Sequence, residues 1–271
     1  MMTSILQTEK LTLSYGDTII IKELNLTIPK GEITIFIGGN GCGKSTLLRS
    51  IARLLKPEEG MVLLDGKNIA KLPTKEVAKK LSILPQAPDS PEGLSVLQLV
   101  KQGRYPYQNW VKQWTKEDEW HVMNALASTS LIEFKDKAID ELSGGQRQRA
   151  WIAMTLAQNT DIILLDEPTT YLDMAHQIDI LDLLYDLNEK EKRTIVMVLH
   201  DINLACRYAH NLVAIRNQQI IAQGKPNDIV NAKLVQHVFD MQCVVTVDPI
   251  VGTPLCIPYG KSRSKVNFKA N

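Results

Sequence analysis

The chain has little that would suit it to the outside of a cell or the interior of a membrane. It holds four cysteines in 271 residues, Cys42, Cys206, Cys243 and Cys256, widely scattered, with no C-x-x-C pair and no histidine pairing nearby. That spacing argues against a zinc site and against a disulfide framework, and it suits a reducing cytosol. No apolar run approaches the roughly 18–20 residues that a membrane span requires. The opening MMTSILQTEK lacks a charged stretch followed by an apolar core, so it does not read as a signal peptide. An excess of one charge is missing too. Lys and Arg number 31 against 30 Asp and Glu, a net charge of +1, which gives no general electrostatic drive toward nucleic acid or anionic lipid. Internal repeats are absent. With 44% hydrophobic and 23% charged residues, the composition is that of a soluble globular protein, either one large domain or a core with a subdomain. Any membrane role has to come through a partner.

What the chain does have is GGNGCGKST, Gly38 to Thr46, between the apolar run Ile33–Ile37 and a stretch with helical spacing. Strand, Gly-rich turn and helix start are the context in which G-x-x-x-x-G-K-[ST] becomes a phosphate-binding loop. Unpaired N–H groups at a helix start, at the positive end of its dipole, attract phosphate oxygens. Gly38, Gly41 and Gly43 permit close approach and positive φ, where a Cβ would clash. Gly39, Asn40 and Cys42 complete the loop. Lys44 can reach β- and γ-phosphates and the Ser45 hydroxyl can ligate Mg²⁺, with Thr46 ending the motif.

Around this loop the patterns alternate. Ile5 to Ile28 reads as antiparallel hairpins, broken at Gly16-Asp17 and Pro29-Lys30-Gly31. A helix is expected from about Lys44 to Leu55. A strand at Met61–Leu64 closed by Asp65-Gly66, a short helix near Thr74–Lys80 and a strand at Leu81–Leu84 follow. From Ala87 the character changes. Pro88, Pro91 and Gly93 break the chain, and helical patterns run over Val96–Gln102, Lys116–Thr129 and Gln146–Ala157. The wholly apolar Ile162–Leu165 reads as a parallel strand buried on both faces. A helix over Ala175–Glu189, a strand at Thr194–Leu199, a helix over Asp201–Tyr208, a hairpin turning near Asn217-Gln218 and strand-like pieces at Cys243–Val247 and Pro254–Ile257 complete the order. The basic tail, Lys261 to Asn271, reads as a solvated end.

A phosphate loop needs an acid to hold its metal. The strand Ile162–Leu165 delivers Asp166 at its carboxyl end, where ligands bind in open α/β sheets. Asp166 would hold Mg²⁺ through water. Glu167 follows at once and is placed to polarise a water attacking the γ-phosphate. Leu142-Ser143-Gly144-Gly145-Gln146 is a second Gly-rich turn opening a helix, hence a second potential anion site.

With LSGGQ about a hundred residues after the phosphate loop and inside a helical stretch, the chain resembles the ATP-binding cassette (ABC) transporter ATPases over nearly its whole length. That resemblance implies an α/β fold: a P-loop NTPase core with an N-terminal antiparallel β subdomain and an α-helical subdomain inserted between the Q-loop and the Walker B strand. It would divide a single domain, 1–271, into a core of 1–86 and 160–240, a helical subdomain of 87–159 and a C-terminal extension of 241–271. It also implies roles. Tyr15, in LSYGD, would stack on adenine. Gln86, in ILPQAP, would touch Mg²⁺ and the attacking water. Asp173, after Tyr171-Leu172, would lie in the D-loop, and His200, in VLHD, would contact the γ-phosphate. The signature turn, Leu142 to Gln146, would cover the ATP of a second copy in a head-to-tail dimer. Gly39 stands where relatives often have Pro, and Tyr171 where they often have Ala, Gly or Ser. Neither change removes a chemical group.

One motif set without membrane spans implies separate permease subunits. GRYPYQNW (Gly103–Trp110), TTYLDMAHQIDILDLL (Thr169–Leu184) and VTVDPIVGTPLCIPYG resemble the ATPases that import ferric siderophores, haem and cobalamin, siderophore importers most of all. The expectation is an ATP- and Mg²⁺-dependent subunit, peripheral on the cytoplasmic face of the membrane. Its partners would be two permease subunits, a second copy of itself and, indirectly, an extracellular substrate-binding lipoprotein, with no nucleic acid. Haem, cobalamin or another metal chelate is the alternative cargo. A clamp on nucleic acid or an assembly scaffold is the alternative of a different kind, and a nucleotide sensor without turnover is a weaker one. The aromatics Tyr105, Tyr107, Trp110 and Trp114 would face the permease, or else pack the helical subdomain.

Overall fold

The computed structural model describes residues 4–86, 92–108, 114–170 and 172–259. Tyr171, Trp110 and the tail from Lys261 onward lie outside the described residues, as do the chain breaks at Pro88 and Pro91. The chain opens with an antiparallel pair, β1 (Ser4–Tyr15) and β2 (Thr18–Pro29). The strand β3 (Ile33–Ile37) leads through the Gly-rich loop into α1 (Lys44–Ile51). Next come β4 (Glu59–Leu64) and β5 (Lys67–Asn68), which close a four-stranded antiparallel sheet in the order β2-β1-β4-β5.

The helix α2 (Thr74–Lys80) runs directly into β6 (Leu81–Leu84). Three helices follow: α3 (Val96–Gln102), α4 (Lys116–Ser128) and α5 (Gly144–Ala157). Each begins on a hydroxyl N-cap, Ser95, Thr115 and Ser143, in a reciprocal capping box that satisfies otherwise orphaned N–H groups. Beyond them lie β7 (Ile162–Leu165), α6 (Met174–Glu191), β8 (Thr194–Val198), α7 (Ile202–Tyr208), β9 (Asn211–Arg216) and β10 (Gln219–Gly224). The chain then forms α8 (Pro226–Ile229), α9 (Ala232–Phe239), β11 (Cys243–Val247) and β12 (Pro254–Pro258).

A six-stranded sheet in the order β10-β9-β3-β8-β7-β6 carries the architecture, parallel throughout except for β10. Its central strands are apolar and buried along their length, so their two faces feed two cores. Ile33, Ile35, Ile37, Ile163, Leu165, Ile195 and Met197 pack on the side that also receives α3, α4, α5 and α6. Phe36, Ile162, Leu164, Val196 and Val198 pack on the other side, against α1 and the antiparallel sheet. This sorting is the period of two expected of strands.

Most boundaries fall within two residues of expectation, and the larger differences are at the first helix and near the end of the chain. The first helix ends at Ile51 and not near Leu55, because Arg53 turns left-handed (φ 62°) and Leu54 closes back on the Arg49 carbonyl at 2.8 Å. The helix α9 is an addition to the expected elements, although its signal is local. Asn231 caps it by accepting from the Leu234 N–H, and Val235 and Val238 recur at helical spacing on its buried side.

Candidate functional site

Parallel register brings four strand ends to one edge of the sheet. Phe36 pairs with Val198, Leu165 with Met197, and Leu84 with Leu165. The residues that follow each strand, Gly38, His200, Asp166-Glu167 and Gln86, therefore emerge side by side. All of these but Asp166 line a cavity of about 870 Å³. Gly38, Gly39, Asn40, Gly41, Gly43, Lys44, Ser45 and Thr46 form one wall, and Gln86, Glu167, Thr170 and His200 form much of the other.

The loop owes its shape to two glycines above all. Gly38 has φ 154°, and a Cβ there would lie 2.3 Å from the Ile215 carbonyl oxygen. Gly43, which caps α1, has φ 98°, and a Cβ there would meet Ile20 Cγ2 at 2.9 Å. Lys44 is 5% exposed, and its Nζ donates to the carbonyls of Gly38 and Gly39, each at 2.9 Å. Cys42 sits half-buried in the same loop, its Sγ 3.8 Å from Lys44 Nζ.

The neighbouring acids occupy different environments. Asp166 is buried and accepts from the Ser45 hydroxyl at 2.7 Å. Burial pushes its carboxyl above the usual range; the Ser45 hydrogen bond works against that, and the charge of Glu167 adds to it. Glu167 has φ 53°, a left-handed turn rare for a residue with a Cβ. Its carboxylate is gripped from three sides: His200 Nε2 at 2.7 Å on Oε1, with Gln86 Nε2 at 2.6 Å and Thr170 Oγ1 at 2.9 Å on Oε2. Burial alone would push Glu167 up. The hydrogen bonds from His200 and Thr170, with the His200 charge and the Gln86 amide, outweigh it and hold the carboxyl below its ordinary value. Glu167 is thus ionised at neutral pH, a fixed acceptor beside a loop built to hold phosphate.

Other anticipated residues lie elsewhere. Tyr15, at the end of β1, is 47% exposed and is not among the described residues lining the cavity. Leu142 is buried in the helical core, while Ser143 and Gly144 lie exposed at the start of α5, away from the cavity. Gln146 serves the Ser143 capping box, its Oε1 accepting from the Ser143 N–H at 3.1 Å. Asp173 is exposed and caps α6. Of the expected partner-facing aromatics, Tyr105 is 74% exposed, whereas Tyr107 stacks on the Arg104 guanidinium, 3.9 Å from ring centre to Cζ. Three cavity residues carry no expectation from the sequence: Ile20, Thr170 and Phe239. Thr170 is within reach of one, three residues past Glu167, but Ile20 and Phe239 come from distant strands and helices with no motif of their own. The loop can therefore bind a phosphate chain, Ser45 with Asp166 can hold a hard cation, and Glu167 can orient a water.

Comparison with known proteins agrees with this chemistry. A family profile described as ABC transporter matches residues 21–170. The "Probable siderophore transport system ATP-binding protein YusV" of Bacillus subtilis is 71% identical, over 98% of this chain and 97% of its own length. The petrobactin import ATP-binding protein FpuD of Bacillus anthracis is 68% identical, over 97% and 96%. The ferric enterobactin transport ATP-binding protein FepC of Escherichia coli is 49% identical, over 95% of each. Among solved structures, an inward-facing conformation of a putative metal-chelate type ABC transporter superposes with a TM-score of 0.83 at 28% identity, covering 96% of this chain and 99% of that one. A dimeric post-hydrolysis state of the ATP-binding cassette MJ0796, bound to ADP and Pi, gives a TM-score of 0.71 at 32% identity, covering 82% and 98%.

Proposed function

Because the chain belongs to the ABC transporter family as an ATP-binding subunit, we propose that it hydrolyses ATP to drive import of a ferric siderophore through separate permease subunits. The cargo rests on near-full-length similarity to siderophore import ATPases. The chemistry rests on one observation above all, the Glu167 carboxylate held ionised by Gln86, Thr170 and His200 beside the phosphate loop.

ATP binds with its phosphates on the N–H groups of Gly38 to Thr46. Lys44 exchanges the carbonyls it now holds for phosphate oxygens, a replacement of neutral acceptors by charged ones. Ser45 and Asp166 suit Mg²⁺: two hard oxygens 2.7 Å apart, one of them on a carboxyl that burial and the Glu167 charge push above its usual range, an effect a bound cation would offset. When bound, Mg²⁺ offsets charge developing on the β- and γ-phosphates. Gln86 would reach the same ion. Glu167 accepts a hydrogen bond from the attacking water and draws its proton as the new P–O bond forms and the bond to the leaving ADP oxygen breaks. His200 keeps Glu167 aligned and meets the γ-phosphate. Tyr15 supplies an aromatic face to adenine from outside the phosphate cavity.

The turn Leu142 to Gln146 lies away from its own chain's cavity, which supports a role on the ATP of a second copy, with Asp173 beside it. ATP then favours the closed dimer by its differential binding, and hydrolysis releases it. Residues 87–159 act as the helical subdomain and present the exposed Tyr105 to a permease next to Gln86 of the core, while 1–86 with 160–240 form the core and 241–271 the extension. Among the described residues no helix is long and apolar enough to cross a membrane; the likeness to import ATP-binding proteins supports a peripheral subunit on the cytoplasmic face. An extracellular binding lipoprotein would meet the permeases and not this chain.

The test is ATP-dependent uptake of labelled ferric siderophore by vesicles carrying the chain with its permease. Haem and cobalamin serve as competing cargoes. Glu167→Gln should bind ATP, accumulate dimers and lose at least about 100-fold in turnover, the scale of general-base catalysis. Unchanged hydrolysis in that variant would refute the role of Glu167, and uptake of haem or cobalamin alone would refute the cargo.

A further inference from the structure

The segment MAHQIDIL after Asp173 carries a side chain to which the proposed reaction gives no task, His176. From the first turn of α6 its ring reaches the first turn of α5. A Cβ built on Gly145 would lie 2.7 Å from His176 Cδ2 and 3.1 Å from its Cγ, closer than packed side chains approach. The same construction on Gly144 meets nothing within 4 Å. The two glycines of the turn therefore do different things. Gly144 leaves open an exposed surface, whereas Gly145 is buried by its own chain and makes room for a histidine.

The ring is tethered. His176 Nδ1 lies 2.8 Å from Asp173 Oδ1, the same oxygen that accepts the His176 backbone N–H at 3.0 Å to cap α6. Those two hydrogen bonds, the backbone one first, hold the Asp173 carboxyl below its usual range. A methyl on Gly145 would force the ring off Asp173, or push the turn off α6. One turn further along α5, Arg149 meets Asp179 of α6 at 2.7 Å and continues the seam.

We propose that His176 is a positioning residue that seats the Ser143–Gln146 turn on the capped start of α6, so that this turn and Asp173 face a second copy as one rigid surface. The proposal rests on the ATP-sandwich reading above. Two of the elements a partner's ATP would need come from different parts of the fold, the helical segment and the strand-to-helix turn after Glu167. Small misplacement of such elements costs rate far more than it costs affinity. His176 spans them without touching the nucleotide cavity of its own chain.

Four full-length variants test this: His176→Ala, His176→Asn, Gly145→Ala and the double variant Gly145→Ala/His176→Ala. His176→Ala should lower kcat for ATP about 10-fold while KM and fluorescent-nucleotide affinity stay within about twofold. His176→Asn, whose amide can still donate to Asp173, should recover part of the loss. Gly145→Ala should fall further, and removing the ring from it should restore activity at least about fivefold, a coupling expected only of residues in contact. The seam is also read without turnover, since Gly145→Ala should lower the melting temperature and the double variant should regain it. Hydrolysis that survives Lys44→Ala would count against the ATPase reading, while the melting cycle still judges the seam. A double variant no better than Gly145→Ala in both kcat and melting temperature would overturn the proposal.

Discussion

Replacing Asp118 by Asn isolates one buried charge and should be among the costliest single-residue changes outside the nucleotide cavity. Arg104 is 2% exposed, and its Nε donates to Asp118 Oδ1 at 2.9 Å, with Nη1 on the Ala157 carbonyl at 2.9 Å. Asp118 is itself 3% exposed. The amide removes the negative charge at almost constant shape and leaves a guanidinium buried against one carbonyl and the Tyr107 ring. Breaking a buried pair from one side costs about 3–5 kcal/mol. Weakening the capping box with Thr115 adds up to about 1 kcal/mol. Against a typical total of about 5–15 kcal/mol, that is a large share, and a loss of about 3–6 kcal/mol lowers the melting temperature by roughly 6–24 °C.

The penalty also has a pH signature. Burial pushes the Asp118 carboxyl up, but hydrogen bonds from Thr115 and Arg104 bring it below the ordinary value. A depressed folded-state pKa contributes stability that is fully present above the unfolded value of about 3.9 and fades as pH falls below it. The gap between wild type and Asp118→Asn should therefore be widest near neutral pH and narrow below about pH 4. Urea unfolding across that range is the assay. A gap under about 1 kcal/mol at pH 7, or one that fails to narrow in acid, would refute the assignment of this pair as a buried, charged bolt.

Two further outcomes follow from the geometry. Gly43→Ala should destabilise the chain by about 1–2 kcal/mol and weaken ATP binding, because its φ of 98° and the 2.9 Å approach to Ile20 and Ile21 leave no room for a methyl; an unchanged melting temperature would contradict this. Alkylation of the native chain at pH 8 should mark Cys42 and be blocked by ATP. Burial pushes the Cys206 and Cys256 thiols up to about 12, with neighbouring thiols adding to it, and burial raises Cys243 as well. Only about one part in 10⁴ of a thiol with that pKa is thiolate at pH 8, so labelling of Cys206 or Cys256 ahead of Cys42, read by peptide mass mapping, would go against the packing described.

Chemistry that depends on neighbours in the chain is legible in the residues themselves. Gly38 to Thr46 lies between a five-residue apolar strand and a helix, and the turn, the positive φ values and the lysine belong to one continuous stretch. The pair Asp166-Glu167 is likewise marked by the apolar strand that precedes it. Helix limits are less legible. Leu55 loses its place in α1 to a left-handed Arg53, and α9 has only Asn231 and the valines beyond it to announce a short helix.

Contacts between distant stretches belong to the tertiary structure alone. Gln86, Thr170 and His200 close on one carboxylate because three parallel strands pair in register and end at one edge. Ile20 and Phe239 enter the cavity from elements with no motif. The sequence determined that there is a phosphate-loop motif, an acidic pair at the end of an apolar strand and a second Gly-rich turn, because each is a local pattern of residue type and spacing. The fold decided that Gln86, Thr170 and His200 converge on Glu167 and that Gly145 answers to His176 while Gly144 does not, because hydrogen bonding and steric room come from residues brought together only by packing.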